Sequence, residues 1–168
     1  MRNIFFLLVI FSISFSCKKE KKNNNHQVAQ KSSLKITDTT KINGILVELI
    51  DNNGIPELKV HSKTYKVSGK IKISPPFYFL RNPQKTVQDF AYKDIGVDHT
   101  LIIMGKIATP EEREKFGETD KNKLCGRHMQ GLLFKKQHII ITNHVLRNSF
   151  ACTDTGTDEK DFWAFAHD

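Results

Sequence analysis

The sequence predicts an α+β domain, mainly antiparallel β-sheet with one or two short helices, and a β-sandwich or small β-barrel is the competing architecture. Three observations predict it. Apolar residues alternate at period two through the middle of the chain, strand-like runs outnumber helical ones, and only two stretches carry helix-capping signals. No internal repeat is found. A segment spanning 36–168 can remove roughly two thirds of its unfolded surface from water, so it needs neither metal nor disulfide merely to fold.

The elements follow in order. From Ile42 to Ile50 the chain is rich in Ile, Leu and Val, and Asp51, Asn52, Asn53 and Gly54 then supply turn chemistry for a hairpin. Between Lys63 and Ser74, Tyr65, Val67, Ile71 and Ile73 point one way and Lys66, Ser68, Lys70 and Lys72 the other, a strand with one wet face. Pro75 and Pro76 interrupt the ladder for want of amide hydrogens, and Phe77 to Leu80 resume an extended apolar run. Asn82 and Pro83 open a first predicted helix that Gly96 ends, with Val87, Phe90, Ala91 and Ile95 at helical spacing. Leu101 to Met104 reads as a buried strand. Thr109, Pro110, Glu111 and Glu112 cap a second helix of about two turns, with Gly117 as its terminator. The runs Leu132–Phe134, Ile139–Ile141, Val145–Phe150 and Phe162–Ala166 return to strand.

The opening residues follow a different logic. Ile4 to Phe15 is apolar except for Ser12 and Ser14, and at twelve residues it falls short of the roughly 20 that cross a bilayer. Arg2, the short apolar run and the small Ser14 and Ser16 have the three-part form of a secretory signal peptide. The close of that run, Ser14, Phe15, Ser16 and Cys17, resembles the lipobox of bacterial lipoproteins, with Ser14 where an aliphatic residue is usual. The resemblance implies cleavage before Cys17, a diacylglycerol on its thiol and acyl chains such as palmitate holding the protein to a membrane of the bacterial cell envelope, facing periplasm or exterior. Ordinary secretory cleavage nearby is the alternative. Residues 1–16 are then signal peptide, 17–35 a lipidated cysteine and disordered basic tether, and 36–168 a single globular domain.

The net charge of +8 suggests nucleic acid until it is divided along the chain. Lys18 to Lys35 holds six lysines against one glutamate, whereas Ile36 to Asp168 holds nineteen basic and seventeen acidic residues. The excess belongs to the tether, where each lysine near an anionic surface adds on the order of 1 kcal/mol. No nucleic-acid partner is expected; the membrane, through the lipid anchor, and a protein or envelope partner are.

Cys125 and Cys152 are the two cysteines of the domain, and in an oxidising compartment they are expected to form one disulfide. A hairpin turning at Lys136 leaves them about five residues out of register, so the chain must bend near Asn148 and Ser149 or turn elsewhere. The alternative is a metal-dependent protein or enzyme using Cys125, His128, His144 and Cys152, although Cys125 and His128 lack a second paired motif. No nucleophile elbow, phosphate-binding glycine loop or zinc-protease helix is present in the sequence. Asp98 beside His99, Ser149 near His144, and the acidic run Asp154, Asp158, Glu159 and Asp161 carry no specific spacing. Phe77–Phe79 and Phe162–Phe165 read as strands buried on both sides, with Tyr78 and Trp163, whose polar tips want partners, the members most suited to meet a ligand. The reading is a tethered, non-enzymatic binding domain without cofactor, an inhibitor, immunity-type partner or assembly factor; a small-molecule carrier is a further alternative.

Overall fold

A computed structural model describes residues 34–168; the expected signal peptide, Cys17 and most of the expected tether lie outside the described residues. The fold is α+β, dominated by antiparallel sheet with two short helices.

Strands β1 (Leu34–Ile42), β2 (Ile45–Asn52) and β3 (Ile55–Val60) form a three-stranded meander. Its turns are Asn43–Gly44 and Asn53–Gly54, all four residues at positive φ, the conformation that two-residue hairpins demand and that Asn-Gly supplies most readily. The second turn falls where the sequence placed it. The first was hidden inside an apolar run, and β1 begins at Leu34, ahead of the expected domain start.

The larger sheet has six strands: β4 (Lys66–Ser68), β5 (Tyr78–Phe79), β6 (Phe90–Tyr92), β7 (Val97–Ile107), β8 (Cys125–Lys135) and β9 (His138–Cys152). Its order is β4-β9-β8-β7-β5, with β6 also paired to β7; β4 runs parallel to β9 and every other pairing is antiparallel. The alternating stretch from Lys63 keeps only three residues as strand. Gly69 turns to φ +86°, and a side chain there would strike the Ile141 carbonyl. Beyond it the backbone of Lys70 and Lys72 bonds the buried Gln130 side chain, which also donates to Thr142 O. Ile71 and Ile73 nevertheless reach the core as their spacing predicts, while Val67 is left half-exposed.

One helix expectation and one strand expectation change. The stretch after Asn82 forms a turn, with Asn82 Oδ1 accepting from Thr86 N and Lys85 at positive φ, and only a 3-10 turn at Lys93–Ile95 precedes Gly96. Helix α1 (Pro110–Lys115) keeps the predicted capping box, Thr109 Oγ1 accepting from Glu112 N and the Glu112 carboxylate from Thr109 N, and Gly117 at positive φ follows it. The run read as a final strand is instead α2 (Glu159–Ala166). Phe162, Phe165 and Ala166 fall at helical three- and four-residue spacing and are its buried residues, so the same apolar pattern serves a helix face.

The layers run small sheet, large sheet, α2. One core, with Val47 and Leu49 from β2 and Leu101, Ile103, Leu132 and Phe134 from the large sheet, lies between the sheets. A second, with Ile102, Met104, Met129 and Leu133, lies between the large sheet and Phe162 and Phe165 of α2. Strand β7 alternates between the two, which is why Leu101–Met104 reads as a continuous apolar run.

Candidate functional site

Three places in the described domain carry chemistry. At one end, Cys125 of β8 and Cys152 of β9 are bonded, with Cα atoms 3.9 Å apart. The hairpin turn at Lys136–Gln137 alone would set Cys125 opposite Asn148. Two irregularities in the ladder, one between Gln130 and Leu132 and one between Gly126 and His128, advance β9 until Cys152 faces Cys125. Asn148, at φ 67°, sits in the second of them, at the bend the sequence required. The bond is buried. Glu118 Oε2 lies 3.7 Å from Cys152 Sγ, and nearby Phe116 stacks on Phe150 at 4.5 Å with the Arg127 guanidinium over the Phe116 ring.

Glu118, Cys125 and Cys152 are the described His, Cys, Asp and Glu side chains close enough together to surround an ion. The disulfide takes both thiolates, so the alternative metal set of Cys125, His128, His144 and Cys152 loses two of its four ligands. His128 is buried with Nδ1 unpartnered, and burial, followed by Lys106, Arg147 and Arg127, holds its pKa below the usual imidazole value. His144 is exposed on β9; its backbone N–H donates to Asp168 Oδ2 and its ring lies against Phe165.

The second place is the exposed flank of α2. Phe162 and Phe165 anchor the helix in the core and turn Trp163 outward, 54% exposed. Its indole stacks on His167 at 4.1 Å, and the His167 ring also meets the edge of Tyr92. Carbonyl O of Trp163 lies 2.8 Å from His167 Nδ1, holding the imidazole against the indole. An exposed, backed indole offers a surface for stacking planar or apolar groups. Tyr78 is elsewhere: 3% exposed in the second core, its hydroxyl without a partner and its pKa pushed up by burial.

The third place escaped the sequence. His99 of β7 pairs through Nδ1 with Asp89 Oδ2 at 2.6 Å, and its Nε2 lies 2.9 Å from Asn43 Nδ2 of the first hairpin turn. Pairing of Phe90 with Thr100 brings Asp89 to His99, a contact with no local spacing signal. Asp98, the neighbour the sequence offered, instead accepts from Lys136 N. The depression of about 440 Å³ beside this pair is lined by Asn43, Asp89, Ala91, Lys93, Asp98 and His99, a set that holds no hydroxyl or thiol for the imidazole to activate.

No protein-family model, curated protein or solved structure matches the chain.

Proposed function

We propose that the chain is a lipoprotein of the bacterial cell envelope, anchored through Cys17 and facing periplasm or exterior. Its domain binds a protein or envelope component without catalysing a reaction, as an inhibitor, immunity-type partner or assembly factor does. The observation that carries this reading is the pairing of Cys125 with Cys152. Of three cysteines, the two in the domain close on each other, the usual fate of such pairs in an oxidising compartment, and the third stands where the apolar leader ends. The exposed Trp163–His167 stack supports a binding role, because indoles are over-represented among the anchors of interaction surfaces.

The test is Cys17→Ala in the full chain. The domain should stay folded, and the protein should leave the membrane fraction or stall unprocessed. Mass spectrometry of the parent's mature terminus should find acylated Cys17. A variant that sediments with membranes as the parent does would overturn the anchor. For the domain, cross-linking of the tethered parent to its envelope neighbours should yield a partner whose capture Trp163→Ala weakens; capture that ignores Trp163 moves the binding surface elsewhere.

A further inference from the structure

We propose that the outer face of the small sheet, continued across β3 to β4, is the surface on which the domain lies against an anionic bilayer. The inference rests on the anchored reading above and adds an orientation to it. Cross-strand neighbours share a face, so the pairings Leu34 with Asn52 and Asn52 with Ile55, then Ile36 with Ile50, set Leu34, Ile36 and Ile55 on one face around Ile50, which is itself buried. Leu34 is 62% exposed, Ile36 53% and Ile55 62%. Ile55 also lines a groove of about 440 Å³ that runs to Val67, itself 43% exposed on β4. Four of the eight large apolar side chains exposed in the described domain therefore lie in one band.

The band has a basic rim. From Leu58 to Gln88 the chain carries seven Lys and Arg and no acidic residue, while Glu57, exposed opposite Ile50 and lining the same groove, puts one carboxylate in the band, where it accepts from Asn52 Nδ2. Some of that charge is used internally: Lys59 pairs with Glu48, Arg81 with Asp38, and Lys72 bonds Asn143. Lys63, Lys66 and Lys70 flank β4, are exposed, and join none of the described ion pairs. An apolar strip bordered by unpaired lysines is complementary to acyl chains beneath anionic headgroups, and it repels a second copy of itself. The chain enters this face at Leu34, seventeen residues after Cys17. The sequence predicts a disordered tether there, and a chain of that kind and length has a root-mean-square reach of only about 20–25 Å, which would present the surface to the bilayer at an effective concentration on the order of millimolar. A patch that holds a free chain only weakly suffices for one already tethered.

The natural Trp163, the single tryptophan of the chain, provides the control, because α2 lies on the opposite side of the large sheet. The lipidated full chain is reconstituted into vesicles of equal parts phosphatidylcholine and phosphatidylglycerol, with brominated acyl chains as quencher. Tryptophan placed by Ile55→Trp in a Trp163→Phe background should be quenched at least about fivefold more strongly than Trp163 in the parent. Lys66→Glu with Lys70→Glu should abolish the difference. Equal quenching at both positions in vesicle-retained protein overturns the orientation. Chain that fails to remain with the vesicles instead overturns the anchor reading, and the surface is then tested on the unlipidated Cys17→Ser chain. That chain should bind these vesicles more than tenfold better than pure phosphatidylcholine, and Ile36→Ser with Ile55→Ser should remove the preference. No preference, or substitutions that spare it while releasing a cross-linked envelope protein, assigns the face to a protein partner and overturns the proposal.

Discussion

Cys125 and Cys152 stand directly opposite each other in the β8–β9 ladder, and they do so only because β9 carries extra residues that β8 lacks. Their bond closes a segment with a sequence separation of 27, which the chain-entropy account values at about 3–4 kcal/mol. Cys125→Ser and Cys152→Ser should therefore each lower the urea-unfolding free energy by that amount, and the double substitution should cost no more than either alone. Treating the parent with a dithiol reductant should bring it to the same value. Additive losses would mean that each sulfur contributes by its own packing.

Asp38 joins the edges of the two sheets. Its carboxylate accepts from Phe79 N at 2.7 Å and from both Nη1 and Nη2 of Arg81, and Arg81 also donates to Phe79 O and Thr39 O. Both side chains are mostly but not wholly buried, so solvent at their rims keeps the pair below the value of a fully enclosed one. Asp38→Asn should cost about 2–3 kcal/mol, because backbone and guanidinium donors lose a charged acceptor. A double-mutant cycle with Arg81→Met should return a coupling of about 1–2 kcal/mol by urea unfolding. Coupling near zero would make this junction a by-product of sheet packing.

Much of this fold is legible in the sequence where one local signal is strong and uncontested. Asn53–Gly54 between apolar runs, the Thr109 capping box and the unbroken Leu101–Met104 all appear as read. Failures occur where two periods compete. Phe162, Phe165 and Ala166 satisfy a short apolar run and a helical face equally well, and only the presence of a second core under the sheet selects the helix. Asn82 and Pro83 imitate a helix start, but the segment spends Asn82 Oδ1 on a turn. The candidate site shows the same division. The disulfide was legible from cysteine count, with the required bend near Asn148, whereas Asp89 meets His99 only through tertiary pairing.

Phe165 and Trp163, two residues apart on α2, should behave oppositely. A Cβ built on Gly131 would lie 2.6 Å from the Phe165 Cβ and 2.9 Å from Thr142 Cγ2, so the helix rests directly on the sheet backbone. Phe165→Ala should cost about 3–5 kcal/mol through the cavity it leaves, and Gly131→Ala about 1–3 kcal/mol through overpacking. Trp163→Ala, at an exposed position, should stay within about 0.5 kcal/mol of the parent. Thermal or urea unfolding of the three variants decides this. A Trp163→Ala loss comparable to that of Phe165→Ala would make the indole a structural residue and remove it from consideration as a ligand contact.

His128 makes stability depend on pH. Burial, Lys106, Arg147 and Arg127 all disfavour its charged form, and Glu112 opposes them more weakly. Its folded pKa therefore lies below the ordinary 6.5, while the unfolded chain titrates near that value. Above pH 6.5 neither state gains a proton at this ring. As pH falls below 6.5 the unfolded chain takes up a proton that the folded domain refuses, so stability declines until the depressed folded pKa is reached and then levels. His128→Phe removes the titration and the unpartnered buried Nδ1 together. Urea midpoints measured from pH 7.5 down to about pH 5 should fall more steeply for the parent than for the variant, and added salt should shrink the difference by screening the three cations. Parallel curves would show that His128 takes up its proton alike in both states.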